Sequence, residues 1–407
     1  MDYQTEPLTP DFYDYDWQPI ERVTIDGDFV ITQWPGGKNL RSHCWWLREC
    51  VVAPGATDPA TREGTLDPAM ISADLAVTSA QLSSSGVLEL AFSDGFSGKI
   101  HPGWLRHVAD KQHRHDAWLP THEIWTASTL AVPPTFDGQA VLNDDDTLTE
   151  WLRAMVRFGC GRLAGLPVEM STVLDVTNRI GAQRDTNFGL SWSVKAEILG
   201  NEENSTANTA LRLGPHTDLP TREIPPGYQF LHCLENTVTG GFSTMTDGEA
   251  IARHLAAEEP DIHDALASLH WVFFNRSREH DHRWSGPMLD YGVSSAPLSI
   301  RAFYPVRAFP DMPDEDVGRA YRSVRRFHQL AADPQFQISY PYQPGDLIGF
   351  DNRRLLHGRD SFDAGAGRRH LRGTYMDHDE IHSRLRVLER KNNPGSLEKY
   401  NKVNAKV

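Results

Sequence analysis

The chain has 407 residues and a formal net charge of −15, with 39% hydrophobic and 23% charged residues. That length suits a large domain plus a smaller one, and the composition excludes wholesale disorder. The negative balance argues against a nucleic-acid partner, because phosphate binding needs a basic surface.

The N-terminus, MDYQTEPLTPDFYDYDW, is acidic and aromatic. It carries neither a secretory nor a transit signal, so a cytoplasmic protein is expected. No apolar run approaches the roughly 20 residues of a membrane helix. Residues 20–115 read as a small N-terminal α+β domain. ERVTIDGDFVITQW gives short strands broken at Asp26-Gly27, and VLELAFSDGFSGKIHPGWL repeats the pattern around Asp94-Gly95. A Pro/Gly/Thr-rich loop joins them, and a proline-bearing linker follows over 118–138. Cys44, Cys50, Cys160 and Cys233 are sparse and irregularly spaced, which predicts free thiols rather than a disulfide framework.

From 139 to 395 the pattern is mainly β with a few helices. A helix is expected near Asp146, with Trp151, Leu152, Met155 and Val156 as its buried stripe. A second is expected over 313–332, with Val317, Tyr321, Val324 and Phe327 inward and Arg319, Arg322, Arg325 and Arg326 on a solvated face. Short strands around one or two helices suggest a jelly roll, which leaves a cavity between its sheets.

The segment LGPHTDLPTREIPPGYQFLHC is the most informative. In an extended strand, positions i and i+2 share a face, so His216 and Asp218 converge on one point. PGDLIGFDNRRLLHGRDSF places His357 at the end of an apolar strand. Two histidines and one carboxylate leave three metal positions open, the arrangement of non-haem Fe(II) oxygenases. Two of those would chelate a 2-oxo acid and the third would take O₂. Arg369, Leu371, Gly373 and Tyr375 share one strand parity, so Arg369 would face the cavity and clamp a carboxylate, with Arg368 turned away.

These segments, with HTDLPTREIPPGYQFLHCLENTVTGGFSTMTDG and FDNRRLLHGRDSFDAGAGRRHLRGTYMDHDEIHSRLRVL, resemble the family of γ-butyrobetaine hydroxylase and trimethyllysine dioxygenase, within the taurine-dioxygenase superfamily. CWWLREC and HPGWL extend the likeness weakly to the first domain. The resemblance implies a double-stranded β-helix (jelly-roll) catalytic core, often as a homodimer. It implies Fe(II) on His216, Asp218 and His357, with 2-oxoglutarate held by Arg369, Ser243 and Leu231. The implied activity is hydroxylation of an aliphatic C–H with release of succinate and CO₂. The implied substrate is a small trimethylammonium zwitterion such as γ-butyrobetaine.

A trimethylammonium group has no N–H to donate and is held by aromatic faces. The resemblance places Phe188, Trp192 and Tyr375 as walls of such a cage. Three departures stand out. Asn208 occupies another cage position where tyrosine is expected. SIRAFYPVR supplies Arg301 and Arg307, but Phe303 stands where asparagine is expected beside the substrate's carboxylate. Upstream, Asn275, Arg276 and Arg278 add donors, so the anionic end could be a phosphonate, as in 2-(trimethylammonio)ethylphosphonate. The family's first-domain zinc cluster keeps only Cys50, and its histidine aligns near Phe96, so no zinc is expected and Cys44 and Cys50 would be buried. A quaternary-ammonium binding protein without catalysis would have no need of the intact ligand set, and a halogenase would lack Asp218.

Overall fold

The computed structural model describes residues 6–13, 15–195, 210–275, 279–292, 298–363 and 367–392. The chain forms two compact units, one from Met1 to Trp118 together with Glu389 onward, the other from Leu119 to Leu388.

The first unit contains two three-stranded antiparallel sheets. One joins β1 (Arg22–Asp26), β2 (Phe29–Gln33) and β3 (Asn39–His43); the other joins β4 (Val77–Leu82), β5 (Leu88–Phe92) and β6 (Ser97–Ile100). Both expected Asp-Gly turns are present, and Gly27 and Gly95 take the positive φ that such turns need. Helices α1 (Cys44–Cys50) and α2 (Pro102–Ala109) complete the unit around Trp34, Leu47, Leu88 and Leu105. All four cysteines are free thiols; Cys44 is buried, but Cys50 is only half-buried, contrary to expectation. Arg48 of α1 is buried, bonds Asp94 at 2.9 Å and the Gly55 carbonyl at 3.2 Å, and lies 3.5 Å over the Phe96 ring. Phe96, near which the family's histidine aligns, is thus covered by a paired guanidinium.

The second unit has four sheets among the described residues, two large ones at its core and two small ones in an excursion. The strands preceding the metal motif are β7 (Thr135–Asp137), β8 (Cys160–Ala164) and β9 (Trp192–Lys195), with helices α3 (Gly138–Asn143), α4 (Asp145–Phe158) and α5 (Thr172–Asn178) among them. Then come β10 (Leu213–His216), β11 (Tyr228–Asn236) and β12 (Ser243–Asp247), followed by α6 (Gly248–Glu258) and α7 (Pro260–Ser268). An excursion follows: β13 (His270–Phe274), β14 (Arg283–Gly286), β15 (Leu289–Asp290), β16 (Ser299–Ile300), β17 (Arg307–Asp311) and α8 (Asp314–Ala331). The chain closes with β18 (Gln337–Tyr340), β19 (Leu347–Asp351), β20 (Leu355–Arg359), β21 (Arg369–Met376) and α9 (His378–Asn392).

The larger sheet has the order β7-β8-β19-β11-β21-β9 and the smaller β10-β20-β12-β18. Cys233, Phe350 and Leu371 of the first meet Met245, Ile338 and Leu355 of the second in one buried cluster, so the sheets face each other. Strand parity assigns the other face of the larger sheet to helices: Tyr228, Phe230 and Met376 pack with Trp151, Met155, Val176 and Leu385 of α4, α5 and α9. The α4 boundaries follow from chemistry. Asp144 accepts from the Thr147 amide at 2.7 Å, Asp145 and Asp146 lie in the first turn, and Gly159 closes the helix at φ +77°.

The β-rich two-sheet core matches the sequence pattern, but the helical share exceeds it: nine α-helices occur among the described residues. Most of the unforeseen ones are short, and a seven-residue helix such as α5 offers too few repeats for a periodic stripe to show. Helix α8 forms as read, except that Tyr321 is exposed. Of its arginines, Arg326 forms an ion pair with Glu259, which tethers α8 to the α7 end. No helix among the described residues is long and apolar enough to cross a membrane.

Candidate active site

His216 ends β10 and His357 lies on β20; the two are direct cross-strand partners with ring centroids 4.1 Å apart. Asp218 follows two residues after His216, its Oδ1 3.4 Å from His216 Nε2 and 3.8 Å from His357 Nε2. Ligand atoms of all three lie within 4.8 Å of one another, the one such trio of His, Cys, Asp or Glu among the described residues. The chemistry of this donor set, two imidazoles and one carboxylate, fits Fe(II).

The surroundings orient each donor. His216 Nδ1 donates to the Gly214 carbonyl at 2.9 Å, which fixes the tautomer and leaves Nε2 free to ligate. Asp218 is held at both ends. Asn352, fully buried, accepts from the Asp218 amide at 2.7 Å and donates to the carbonyls of Asp218 and Pro226 at 3.1 Å each. Tyr375 donates its hydroxyl to Asp218 Oδ2 at 2.6 Å. Burial by itself would raise the Asp218 carboxyl, but His357, His216 and the Tyr375 hydroxyl outweigh it and hold the group well below the usual carboxylate range. Burial and the nearby His216 push His357 down to about 3, so its imidazole is neutral at physiological pH, the form that binds metal.

Arg369 on β21 is buried inward while Arg368 is exposed, as parity predicts. Arg369 Nε is buried without a hydrogen-bond partner, and burial lowers its pKa. Arg359, two positions past His357 and on the same strand parity, is also buried; burial and the charge of Arg369 depress it to about 10. Two guanidiniums desolvated at close quarters fit an anion such as the distal carboxylate of 2-oxoglutarate. Ser243 is the cross-strand partner of Arg359, and Leu231 that of Gly373 on β21. Asn352, Arg359 and Tyr375's bond to Asp218 escaped sequence reasoning as positioning groups. The parity of Arg359 with His357 was a usable signal for one of them.

The three aromatic candidates gather beside the triad. Trp192 stacks on Tyr375 at 4.1 Å and Phe188 lies 6.3 Å from Trp192. Gly373 makes this stacking possible, since a Cβ there would sit 2.8 Å from the indole.

The remaining candidates separate. Arg301 is a correction: it is buried, and its terminal nitrogens donate to the carbonyls of Pro220 (2.9 Å), Arg222 (2.6 Å) and Glu223 (2.6 Å). It clamps the loop after Asp218 and has little left for a substrate. Asn275 spends its side-chain oxygen on the His282 amide at 3.0 Å, closing the β13–β14 connection. Phe303 lies against His216 with ring centroids 4.7 Å apart. Arg307 stands over Trp271 at 4.8 Å. Asn208, Arg276 and Arg278 lie outside the described residues.

Residues 120–375 match the family model described as taurine catabolism dioxygenase TauD, TfdA family. A γ-butyrobetaine dioxygenase of Pseudomonas sp. (strain AK-1) is 36% identical over 96% of this chain and 99% of its own length. The Homo sapiens γ-butyrobetaine dioxygenase is 30% identical over 74% of this chain and 79% of its own. The mitochondrial trimethyllysine dioxygenase of Rattus norvegicus is 25% identical over 84% and 82%. Among solved structures, a taurine dioxygenase from Burkholderia xenovorans aligns at 14% identity and TM-score 0.47, covering 61% of this chain and 88% of that one. With well over half of its length under one family model and its iron-ligand trio assembled, the chain belongs to the TauD/TfdA family of Fe(II)- and 2-oxoglutarate-dependent dioxygenases.

Proposed function

We propose that the enzyme hydroxylates an aliphatic carbon of a small trimethylammonium zwitterion, of which γ-butyrobetaine is the first candidate. The observation that carries this reading is the fusion of aromatic wall and metal site: the Tyr375 ring stacks on Trp192 while its hydroxyl holds Asp218. A methylated ammonium against those faces gains cation–π attraction of about 0.5–2 kcal/mol per well-placed ring. It also fixes the neighbouring carbons near the metal ligands, which is where positioning contributes to rate.

Within the double-stranded β-helix reading of the two sheets, His216, Asp218 and His357 would hold Fe(II), and Arg369, with Ser243 and Leu231 nearby, would seat 2-oxoglutarate. When bound there, Fe(II) and 2-oxoglutarate would supply the oxidising power for the C–H bond, with succinate and CO₂ released. The chain's own work is different. Gly214 and Asn352 hold the ligands in register, the buried arginines anchor the oxo acid, and the apolar inner faces exclude water.

The test is succinate formation by the iron-loaded enzyme with γ-butyrobetaine and with 2-(trimethylammonio)ethylphosphonate, alongside the mass of the recovered substrate. Substrate-stimulated succinate and a gain of one oxygen are expected with at least one of them. Inactivity toward both, in an enzyme that still consumes 2-oxoglutarate slowly, would refute the reading.

A further inference from the structure

The loop that follows Asp218 is held along most of its length by side chains. Asn352 donates to the carbonyls of Asp218 and Pro226, and Arg301 to those of Pro220, Arg222 and Glu223. Arg184 donates to the Ile224 carbonyl at 2.8 Å and Arg353 to that of Pro225 at 2.9 Å. Leu219 takes a φ of +53°, which a non-glycine residue keeps only when its surroundings impose it. A backbone so fixed makes a rigid mount for Arg222, whose guanidinium donates to Asn187 Oδ1 at 2.8 Å. Asn187 lies in the turn 186–189, closed by the Gly189 amide on the Thr186 carbonyl at 2.8 Å and by the Phe188 amide on Thr186 Oγ1 at 3.1 Å. On either side the chain is tied to β21: the Arg184 amide donates to the Tyr375 carbonyl at 2.8 Å, and the Thr374 hydroxyl to the Leu190 carbonyl at 2.7 Å. Among the described residues, the bond to Arg222 is the one hydrogen bond that joins residues 185–189 to the rest of the chain.

These contacts close a ring. The loop runs from Asp218 to Arg222, Arg222 bonds Asn187, and the next residue, Phe188, lies 6.3 Å from Trp192. Trp192 stacks on Tyr375 at 4.1 Å, and the Tyr375 hydroxyl returns to Asp218 at 2.6 Å. Of the aromatic walls, Phe188 most needs a tie, being 46% exposed where Tyr375 is 2% exposed. A ring attracts a cation only while its face is kept toward the charge, so a wall carried on a turn contributes only when the turn is held. We propose that Arg222 and Asn187 are positioning residues that clasp the Phe188 turn to the metal-ligand loop and so set the cage in which the trimethylammonium headgroup sits. This rests on the cage reading above and adds a polar clasp to it. The Arg222 charge itself repels a quaternary ammonium. Loss of that charge alone would therefore tighten cation binding, whereas loss of the clasp weakens it.

Two measurements on the full chain test it. In hydrogen exchange of the apo-enzyme, Arg222→Met should speed exchange of the Phe188 and Gly189 amides by about tenfold, the effect of losing one charge-assisted hydrogen bond. Exchange along β11 should be unchanged, which shows that the variant is folded. In calorimetric titration of the Mn(II)- and 2-oxoglutarate-loaded enzyme, the same variant should bind tetramethylammonium about threefold to tenfold more weakly, the share of one aromatic wall. Its Mn(II) affinity should match the wild type, because Asn352 and Tyr375 still hold Asp218. Asn187→Ala should reproduce both effects, the double variant should be no worse than Arg222→Met, and Arg222→Lys, which keeps a donor, should retain most of the affinity. Exchange at Phe188 and Gly189 equal to the wild type would overturn the clasp whatever the ligand does. So would a tetramethylammonium affinity that holds or rises in Arg222→Met while the wild type binds. Faster exchange in a protein whose wild type never binds tetramethylammonium would instead overturn the cage reading, and with it the clasp's part in binding.

Discussion

Asn352 offers the sharpest test of how the site is held. Its amide group is fully buried and makes three hydrogen bonds, one from the Asp218 amide and two to the carbonyls of Asp218 and Pro226. Asn352→Leu keeps the approximate volume and removes all three. Each orphaned buried backbone group costs about 1–3 kcal/mol, so the variant should lose roughly 3–6 kcal/mol once partial relaxation is allowed. That is a large share of the ~5–15 kcal/mol typical of a domain. Because the released segment carries Asp218, metal affinity should also fall about 10–100-fold, the usual effect of losing an outer partner of a ligand. Urea unfolding of the apo-protein reads the first quantity. Titration with Fe(II), or with Mn(II) as an air-stable substitute, reads the second at temperatures well below the transition. A variant that loses stability but binds metal as the wild type does would refute the claim that Asn352 positions the carboxylate.

Three further outcomes are expected. Tyr375→Phe keeps the cage wall and deletes the bond to Asp218, so kcat should fall by about 10-fold or more with little change in KM, whereas Tyr375→Ala should also raise KM; burial and Asp218 raise the Tyr375 pKa well above its usual value, so no alkaline loss of this donor should appear below pH 10. Gly373→Ala forces the Trp192 indole off β21 and should raise KM for a trimethylammonium substrate while destabilising the fold by about 1–3 kcal/mol, read by steady-state kinetics and thermal melting. Glu249 is held down to about 2 by its hydrogen bond to His122, then by Arg253 and Arg354 against the opposing effect of burial. A depressed carboxyl contributes stability above its unfolded value and loses it as pH falls, so the urea midpoint should drop between about pH 4.5 and 2, and Glu249→Gln should flatten that segment of the profile.

The sequence carried the chemistry of the centre because that chemistry is local in its signals. His216 and Asp218 were paired by their spacing, although β10 ends at His216 and Asp218 lies in the bend beyond it, so strand period found the pair without describing its backbone; Arg369 is told from Arg368 by parity along β21. The Asp-Gly turns and the α4 stripe are likewise written within a few residues. Helices α5 to α7 were not legible, being short and partly without strong stripes. Nor was the exposure of Tyr321, whose spacing fits the buried face of α8 although its ring stays exposed beside Trp271.

Tertiary structure decided which of several equivalent-looking groups does what. Arg301 and Arg307 sit in one segment and read alike, yet the first closes on carbonyls of the 220–223 loop some eighty positions earlier, while the second meets no protein anion among the described residues. Asn352 carries no signal along the chain, and only the fold sets its side-chain amide against Asp218. Periodicity reports the direction of a side chain along its own strand, but a hydrogen bond is completed by whatever distant backbone the fold brings within about 3 Å. The ligand types and their spacing were therefore fixed along the chain, and the backbone that carries Asp218 and the partners that aim it were fixed only by packing.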